Sequence, residues 1–192
     1  MNSRGCAIAT VCIFPALGAA AIYFYNSYQR YQDLANPYYQ GRRVHDWADS
    51  AIEDPDPNKR REAAEALVEA FKVMKPGEPR IQLTMRFCGS RLPKEALPFL
   101  IETLHAPEMP PKGYPYIAFH WVDPDIAIPA LVEVVAHDED EHACECAANA
   151  LSQFGPEAEA TLRKVLTDCP EPRRKLAFDS FRGIKREGVE YP

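Results

Sequence analysis

Residues 54–67, DPDPNKRREAAEAL, return 84 positions later in the chain as residues 138–151, DEDEHACECAANAL. The first Asp and the Ala-Ala-x-Ala-Leu core of the two copies coincide at this single offset. A third copy begins at Asp168, where Ala177, Phe181 and Ile184 stand at the places of Ala147, Leu151 and Phe154. Such self-similarity predicts that the chain uses one structural unit several times.

A second type of segment alternates with the first. The sequence LPFLIE of residues 97–102 matches IPALVE of residues 128–133, 31 positions later. Apolar residues recur at i, i+3, i+4 and i+7 in both types, and sustained period-two alternation is absent. We therefore predict no sheet, and helices at about residues 44–52, 57–73, 93–105, 125–136, 141–154, 157–167 and 171–184.

A helix pair of about thirty residues with an Asp-bearing turn resembles the short HEAT repeats of bacterial proteins, in particular those named after phycobilisome lyases. The pattern D-x-D-x-x-x-R-x-x-A-A-x-A-L of the first copy carries this resemblance, together with IPALVEVVAHD from Ile128. Tetratricopeptide repeats are the nearest competitor, but their Trp/Leu-Gly/Tyr pattern is absent. The resemblance implies an all-α fold, a right-handed α-solenoid of antiparallel helix pairs.

The repeat domain is predicted over residues 44–185, with insertions at 75–92 and 106–123 and a C-terminal tail at 186–192. Arg60 and Arg174 occupy the family's usual Arg position in the first and third copies. The middle copy has Cys144 there. We expect this exchange to weaken any Asp–Arg ladder along the turns.

The N-terminus has the length and composition of a membrane-spanning helix. Twenty residues without a charge, 6–25, would cover about 30 Å as a helix, the thickness of a bilayer's hydrocarbon core. We predict a single-pass anchor over residues 1–30, followed by a linker over 31–43. A cleaved signal peptide, with its cut near Ala19-Ala20-Ala21, and a buried core helix are the alternatives. The flanking charges do not decide on which side of the membrane the domain lies.

Charge argues against nucleic acid as a partner. The net charge is −6, and beyond residue 30 the chain holds 20 basic and 28 acidic side chains. An acidic domain without a Lys/Arg cluster repels a phosphate backbone.

The densest run of potential metal ligands is residues 137–142, HDEDEH. Its carboxylates suit a cation. However, Asp54 and Asp56 occupy the same slot in the first copy, which favours helix capping instead. A zinc site is the other metal hypothesis, but its four residues lack the usual close Cys pairs; they are His142, Cys144, Cys146 and Cys169. We predict no metal, no cofactor and no catalytic residue.

The insertion at 106–123 carries aromatic residues where the repeat pattern predicts a plain helix. Aromatic side chains on a loop are typical anchors of a protein interface, so we predict a partner-binding surface formed by Tyr114, Tyr116 and Trp121. The alternative is that Phe119 and Trp121 fold back over the core as a degenerate helix. Trp47 is predicted to cover the open end of the first repeat.

These features favour a membrane-tethered scaffold that binds a partner protein without catalysis. An enzyme or chromophore lyase is the alternative that the family resemblance suggests, although a fold does not determine a function. A third hypothesis is that the tether recruits the domain to an assembly at the bilayer.

Overall fold

The computed structural model describes residues 22–27, 33–34, 36–89, 91–109 and 114–167, and positions 169, 171, 174, 175 and 177. Helices make up most of the chain, which confirms the predicted all-α class. Among the described residues, none of the helices has both the length and the apolar composition that crossing a membrane requires. Most of the predicted anchor and the whole C-terminal tail lie outside the described residues.

From residue 44 onward the helices of the described part are α1 (Val44–Glu53), α2 (Pro57–Val73), α3 (Glu78–Met85), α4 (Leu97–Leu104), α5 (Tyr114–Phe119), α6 (Pro124–His137), α7 (Glu141–Leu151) and α8 (Pro156–Leu166). Six of these helices correspond to predicted ones, whereas α3 and α5 lie in the predicted insertions and were not predicted. Short 3₁₀ turns, Lys94–Ala96 and Ser152–Phe154, precede α4 and extend α7. The last predicted helix, 171–184, lies largely outside the described residues.

Two pairs of consecutive helices make the most extensive contacts, α1 with α2 and α6 with α7. Each pair is joined by three residues, a connection so short that the second helix must turn back along the first. Alanines of the repeated core are completely or almost completely buried in both pairs; they are Ala63, Ala64, Ala147 and Ala148. Small side chains at these positions let neighbouring helices approach closely.

One hydrophobic core connects all these helices. Leu151, on the predicted buried stripe, has no exposed surface. The ring of Phe99 in α4 lies 5.6 Å from that of Phe71 in α2 and 4.6 Å from that of Phe87, which follows α3. Phe87 belongs to the first predicted insertion, so this insertion contributes a fully buried side chain to the core.

The structure departs from the prediction that the chain forms no sheet. Two short antiparallel strands, β1 (Tyr38–Tyr39) and β2 (Arg42–Arg43), form a hairpin within the predicted linker. Gln40 and Gly41 at its tip have φ of 48° and 78°, as the tight turn between such strands requires. Two residues per strand are too few to show an alternating pattern, which is why the sequence did not reveal them.

Candidate interaction surface

The two copies of the repeated turn make the same hydrogen bonds. The Oδ1 atoms of Asp54 and Asp56 each accept the backbone N–H two residues later, both at 2.9 Å. At the offset of 84, Asp138 and Asp140 do the same at 2.9 and 2.8 Å. Asp56 and Asp140 are the N-caps of α2 and α7. The sequence repeat is therefore also a repeat of local structure.

Where the middle copy has Cys in place of Arg, the hydrogen bond to the turn carbonyl is kept and the ion pair is lost. Arg60 donates from Nη1 to the Asp54 carbonyl at 2.9 Å, and from Nε to the Glu95 carboxylate at 3.2 Å. At the equivalent place, the Cys144 thiol donates to the Asp138 carbonyl at 3.4 Å. A thiol carries one hydrogen and no charge, so it cannot form the ion pair that Arg60 makes. In the third copy, Arg174 donates to the Thr167 carbonyl at 3.4 Å.

The acidic run at 137–142 caps a helix, as the helix-capping hypothesis predicts, and it also contacts the end of α4, which was not predicted. Asp138 accepts a hydrogen bond from its own turn, and its other oxygen lies 2.8 Å from Nε2 of His105, at the end of α4. The ring of His142 contacts the carbonyl of Ala106 at 3.2 Å. Within the described residues, no three His, Cys, Asp or Glu side chains are grouped as metal ligands.

The zinc hypothesis also finds no support in the positions of its residues. Cys144 and Cys146 are buried on α7, and Cys146 Sγ lies 3.6 Å from His142 Nε2. Burial raises the pKa of the Cys146 thiol to about 12, which disfavours the thiolate that a metal requires. Cys169 is half-buried, and its thiol donates to the Ala136 carbonyl at 3.9 Å.

Some aromatic residues of the second insertion lie in the core and others lie on the surface. Phe119 is fully buried, as the fold-back alternative predicts, whereas Trp121 is 36% exposed and packs edge-on against the exposed ring of His120. Tyr116 is half-buried, and its carbonyl accepts a hydrogen bond from Gln153. Tyr114 begins α5, but its side chain lies outside the described part of the chain. Exposure thus leaves Trp121 as the most accessible of the predicted interface residues that the structure describes.

Sequence analysis did not identify two exposed apolar residues near these aromatics in the fold. Ile117 lies on α5, and Met85 ends α3 in the other insertion. Both side chains are exposed to solvent. Neither follows a repeat of the sequence, so no pattern distinguished them from core residues.

The two insertions meet each other. The N–H of Leu92 donates to the Trp121 carbonyl at 2.9 Å, and α3 packs against α5. Arg80 of α3 pairs with Glu108 at 3.3 Å, in a largely buried position. Segments that the sequence treats as two separate interruptions therefore form one joined surface.

Trp47, which was predicted to cover the open end of the first repeat, is buried between α1 and the hairpin. Its ring is buried, and Nε1 donates to the Tyr39 carbonyl at 3.0 Å. The guanidinium of Arg42 lies over the same ring, 4.1 Å from its centre. The hairpin is thus fixed to α1 through an aromatic side chain, and Asn36 accepts the His45 N–H at the start of that helix.

A pocket of about 210 Å³ lies between this hairpin and the C-terminal end of α2. Its wall includes Pro37, Tyr38, Val44 and Met74. Sequence analysis gave no sign of it, because its residues come from separate parts of the chain: the predicted linker, the start of α1, the end of α2 and the first insertion.

Charge is strongly segregated along the chain. Residues 95–162, from the start of α4 into α8, contain thirteen acidic side chains and one basic side chain, Lys112. Before residue 95, thirteen basic side chains outnumber ten acidic ones. The part of the chain that carries Trp121 is therefore far more acidic than the part that carries the pocket.

No protein-family model matches the chain, and neither a curated protein nor a solved structure matches it.

Proposed function

We propose that this protein is a membrane-tethered scaffold that binds a partner protein on the surface of a HEAT-like α-solenoid. The observation that supports the repeat architecture best is the identical hydrogen bonding of the turns at Asp54 and Asp138. Equal turns place equal helix pairs, and stacking such pairs buries apolar stripes that no single pair can bury alone. Proteins built in this way commonly use an extended surface to hold another chain.

The partner surface is proposed around Trp121 on the joined insertions. Trp121 and Ile117 are apolar side chains held outside the core by a short helix whose Phe119 is buried beneath them. Asp123 and Asp125 follow directly, in the acidic part of the chain. Asp123 is paired with Arg91 at 3.0 Å. An exposed aromatic residue in an acidic part of the chain fits a partner with apolar and basic side chains, since Lys and Arg bind aromatic rings and carboxylates.

The tether is proposed from the N-terminal sequence together with one structural observation. Residues 22–25 are helical, and their four large apolar side chains are all exposed, so the rest of the domain does not cover them. Such a run is costly in water. A lipid bilayer would cover it, as the uncharged segment 6–25 predicts.

Capture of partners from solubilised membranes tests the scaffold. We expect a stoichiometric protein partner to be retained by the full-length chain and released as the salt concentration rises, because exposed charge pairs are screened. Trp121→Ala should weaken capture by about 2 kcal/mol, or roughly thirtyfold, if this ring is a central anchor. Tyr38→Ala is the matched control, since it removes another exposed ring on the opposite side of the charge boundary.

Three results would contradict the proposal. A bound pigment or metal in place of a protein would favour the lyase or enzyme alternative. Equal loss of capture in both variants would remove Trp121 from the interface. A loss of thermal stability in Trp121→Ala with normal capture would assign that ring to the core instead.

A further inference from the structure

The pocket beside the hairpin is bordered by unusually exposed apolar side chains. Leu34, Tyr38 and Val73 are 62%, 66% and 75% exposed, more than any other large apolar residue described from position 33 onward. Two of them come from the hairpin side and one from the end of α2, so they surround the opening together. Three such residues at one cavity form a contiguous apolar rim, whereas exposed apolar residues elsewhere in the domain are scattered.

Cationic side chains stand at the same end of the molecule. Lys75 lines the pocket and is exposed, and Lys72 is exposed one turn earlier, paired with Glu69 at 3.1 Å. Arg42 and Arg43 form the second strand of the hairpin. Long basic side chains beside apolar and aromatic ones are the composition of surfaces that lie at the boundary between lipid headgroups and acyl chains.

The length of the chain keeps this rim close to the proposed anchor. Leu34 lies nine positions after Tyr25, which ends the uncharged segment. Even full extension spans at most about 30 Å over nine residues. A domain tethered at Tyr25 therefore cannot carry the pocket far from the bilayer surface.

Charge selects which side of the domain faces that surface. An anionic bilayer repels the acidic part, residues 95–162, and attracts the basic side chains beside the pocket, although Lys72 is paired with Glu69 and Arg43 with Asp33 at 2.8 Å. The end of the molecule that carries the pocket is thus the end that electrostatics turns toward lipid.

From these observations we propose that the rim formed by Leu34, Tyr38 and Val73 docks on the surface of an anionic lipid bilayer, with its apolar side chains at the level of the first acyl carbons. This inference rests on the proposed membrane tether, and it adds a defined orientation to it. The partner surface around Trp121, on the acidic part of the chain, would then be directed away from the lipid headgroups.

The test uses full-length protein reconstituted into vesicles of phosphatidylcholine and phosphatidylglycerol, with or without brominated acyl chains. Tyr38→Trp, placed in a Trp121→Phe background, provides a fluorescent ring at the rim. The difference in fluorescence between this variant and Trp121→Phe alone comes from the ring at position 38 and not from the buried Trp47. We expect brominated lipid to quench the rim ring.

Substitutions at the rim then measure docking. Leu34→Asp with Val73→Asp should lower the ratio of docked to undocked protein about tenfold or more, because two apolar side chains lose their burial in lipid. Lys75→Gln should lower the ratio about fivefold, since one basic residue near an anionic surface is lost. Met85→Asp with Ala160→Asp, at two exposed positions outside the rim, is the matched control, and it should leave quenching unchanged.

Flotation with the vesicles separates the two proposals. Protein that floats but whose rim ring is not quenched would overturn docking and leave the tether intact. Protein that does not float would overturn both. Equal effects of the rim substitutions and the control substitutions on quenching would also overturn docking. So would a change from dimer to monomer in detergent when the rim residues are replaced, because the pocket would then hold a second copy of the chain.

Discussion

His45 is a partly buried histidine whose charge the fold opposes. Burial and, to a smaller extent, the nearby Arg86 lower the pKa of its imidazole from 6.5, although Asp49 and Asp46 act in the opposite direction. The Nε2 atom is buried, and the structure places no hydrogen-bond partner for it. The site therefore favours the neutral ring, as a half-buried imidazole without an acceptor must.

The stability of the protein should consequently depend on pH through His45. Because the unfolded chain binds this proton more tightly, the stabilisation is complete above about pH 6.5 and declines as the pH falls through the folded pKa. We expect His45→Gln to flatten the pH dependence of the free energy of unfolding below about pH 6.5. Urea titrations of both proteins across this range measure it. His137→Gln, at an exposed position, is the control, and an identical flattening there would assign the effect to histidines in general.

Single residues also show what the sequence could and could not predict. The exchange of Arg60 for Cys144 was visible as a departure from the repeat, but its consequence was not. Only the structure shows that the thiol reaches the same carbonyl of the turn, Asp138 O. The burial of Leu151 followed directly from helical periodicity. The exposure of Val73 did not, because it depends on how the end of α2 lies beside the hairpin, which no periodic pattern encodes.

At the scale of elements, the two turns share their hydrogen bonds, so they should make similar contributions to the free energy of unfolding. Asp56 and Asp140 are N-caps at matching positions, but Asp140 accepts a second N–H, from Ala143 at 3.4 Å. Replacing either by Ala should lower the free energy of unfolding by about 1 kcal/mol, with Asp140→Ala the more costly of the two. Chemical denaturation gives both values. Glu139→Ala, at an exposed position of the same turn, should change stability by less than about 0.5 kcal/mol.

Serine at either cap should restore most of the loss, since its hydroxyl accepts the same N–H. If replacing the N-cap aspartate lowered the free energy of unfolding in one turn but not in the other, the repeated hydrogen bonds would not be equivalent in energy. That result would weaken the proposed repeat architecture.

The elements that the sequence predicted best are those with long periodic patterns and marked ends. α2 and α6 begin at Pro57 and Pro124, where the missing N–H of proline costs nothing, and both were placed within one residue of their observed bounds. Neither α3 nor the hairpin was predicted. The hairpin strands are too short to show a period, and the apolar residues of α3, Ile81, Leu83 and Met85, are spaced by two rather than at helical intervals. The predicted surface at Trp121 rested on composition alone, and its exposure had to come from the structure.

At the scale of the whole molecule, the two insertions behave as parts of one domain. Leu92 bonds to the backbone at Trp121, Phe87 fills the core beside Phe99, and Arg80 pairs with Glu108 across both insertions. Glu108 Oε1 also accepts the backbone N–H of Gly77 at 3.3 Å. If a partner binds near Trp121, this arrangement holds the binding surface rigid against the helix pairs.

The ion pair between Arg80 and Glu108 therefore provides a test of this coupling. Its side chains are 13% and 14% exposed, and the Arg80 guanidinium also lies over the Phe71 ring, 4.7 Å from its centre. Replacing Glu108 by Ala leaves a poorly hydrated charge behind, so we expect a loss of about 2 kcal/mol in the free energy of unfolding. A double-mutant cycle with Arg80→Ala should give a coupling energy of more than about 1 kcal/mol, because each partner is costly mainly when left alone.

The pair of Arg86 with Asp49 is the matched control, since it also joins α1 to the first insertion but is 38% and 49% exposed. Its coupling should stay below about 1 kcal/mol, as is usual for ion pairs in contact with water. Unfolding should remain a single transition in every variant if the insertions and the helix pairs form one cooperative unit. A separate early transition in Glu108→Ala would show instead that the insertions unfold on their own. It would be seen, before the helical circular dichroism changes, in the part of the fluorescence that Trp121→Phe removes. The surface around Trp121 would then be a mobile attachment, and its proposed role as a preformed binding site would fail with it.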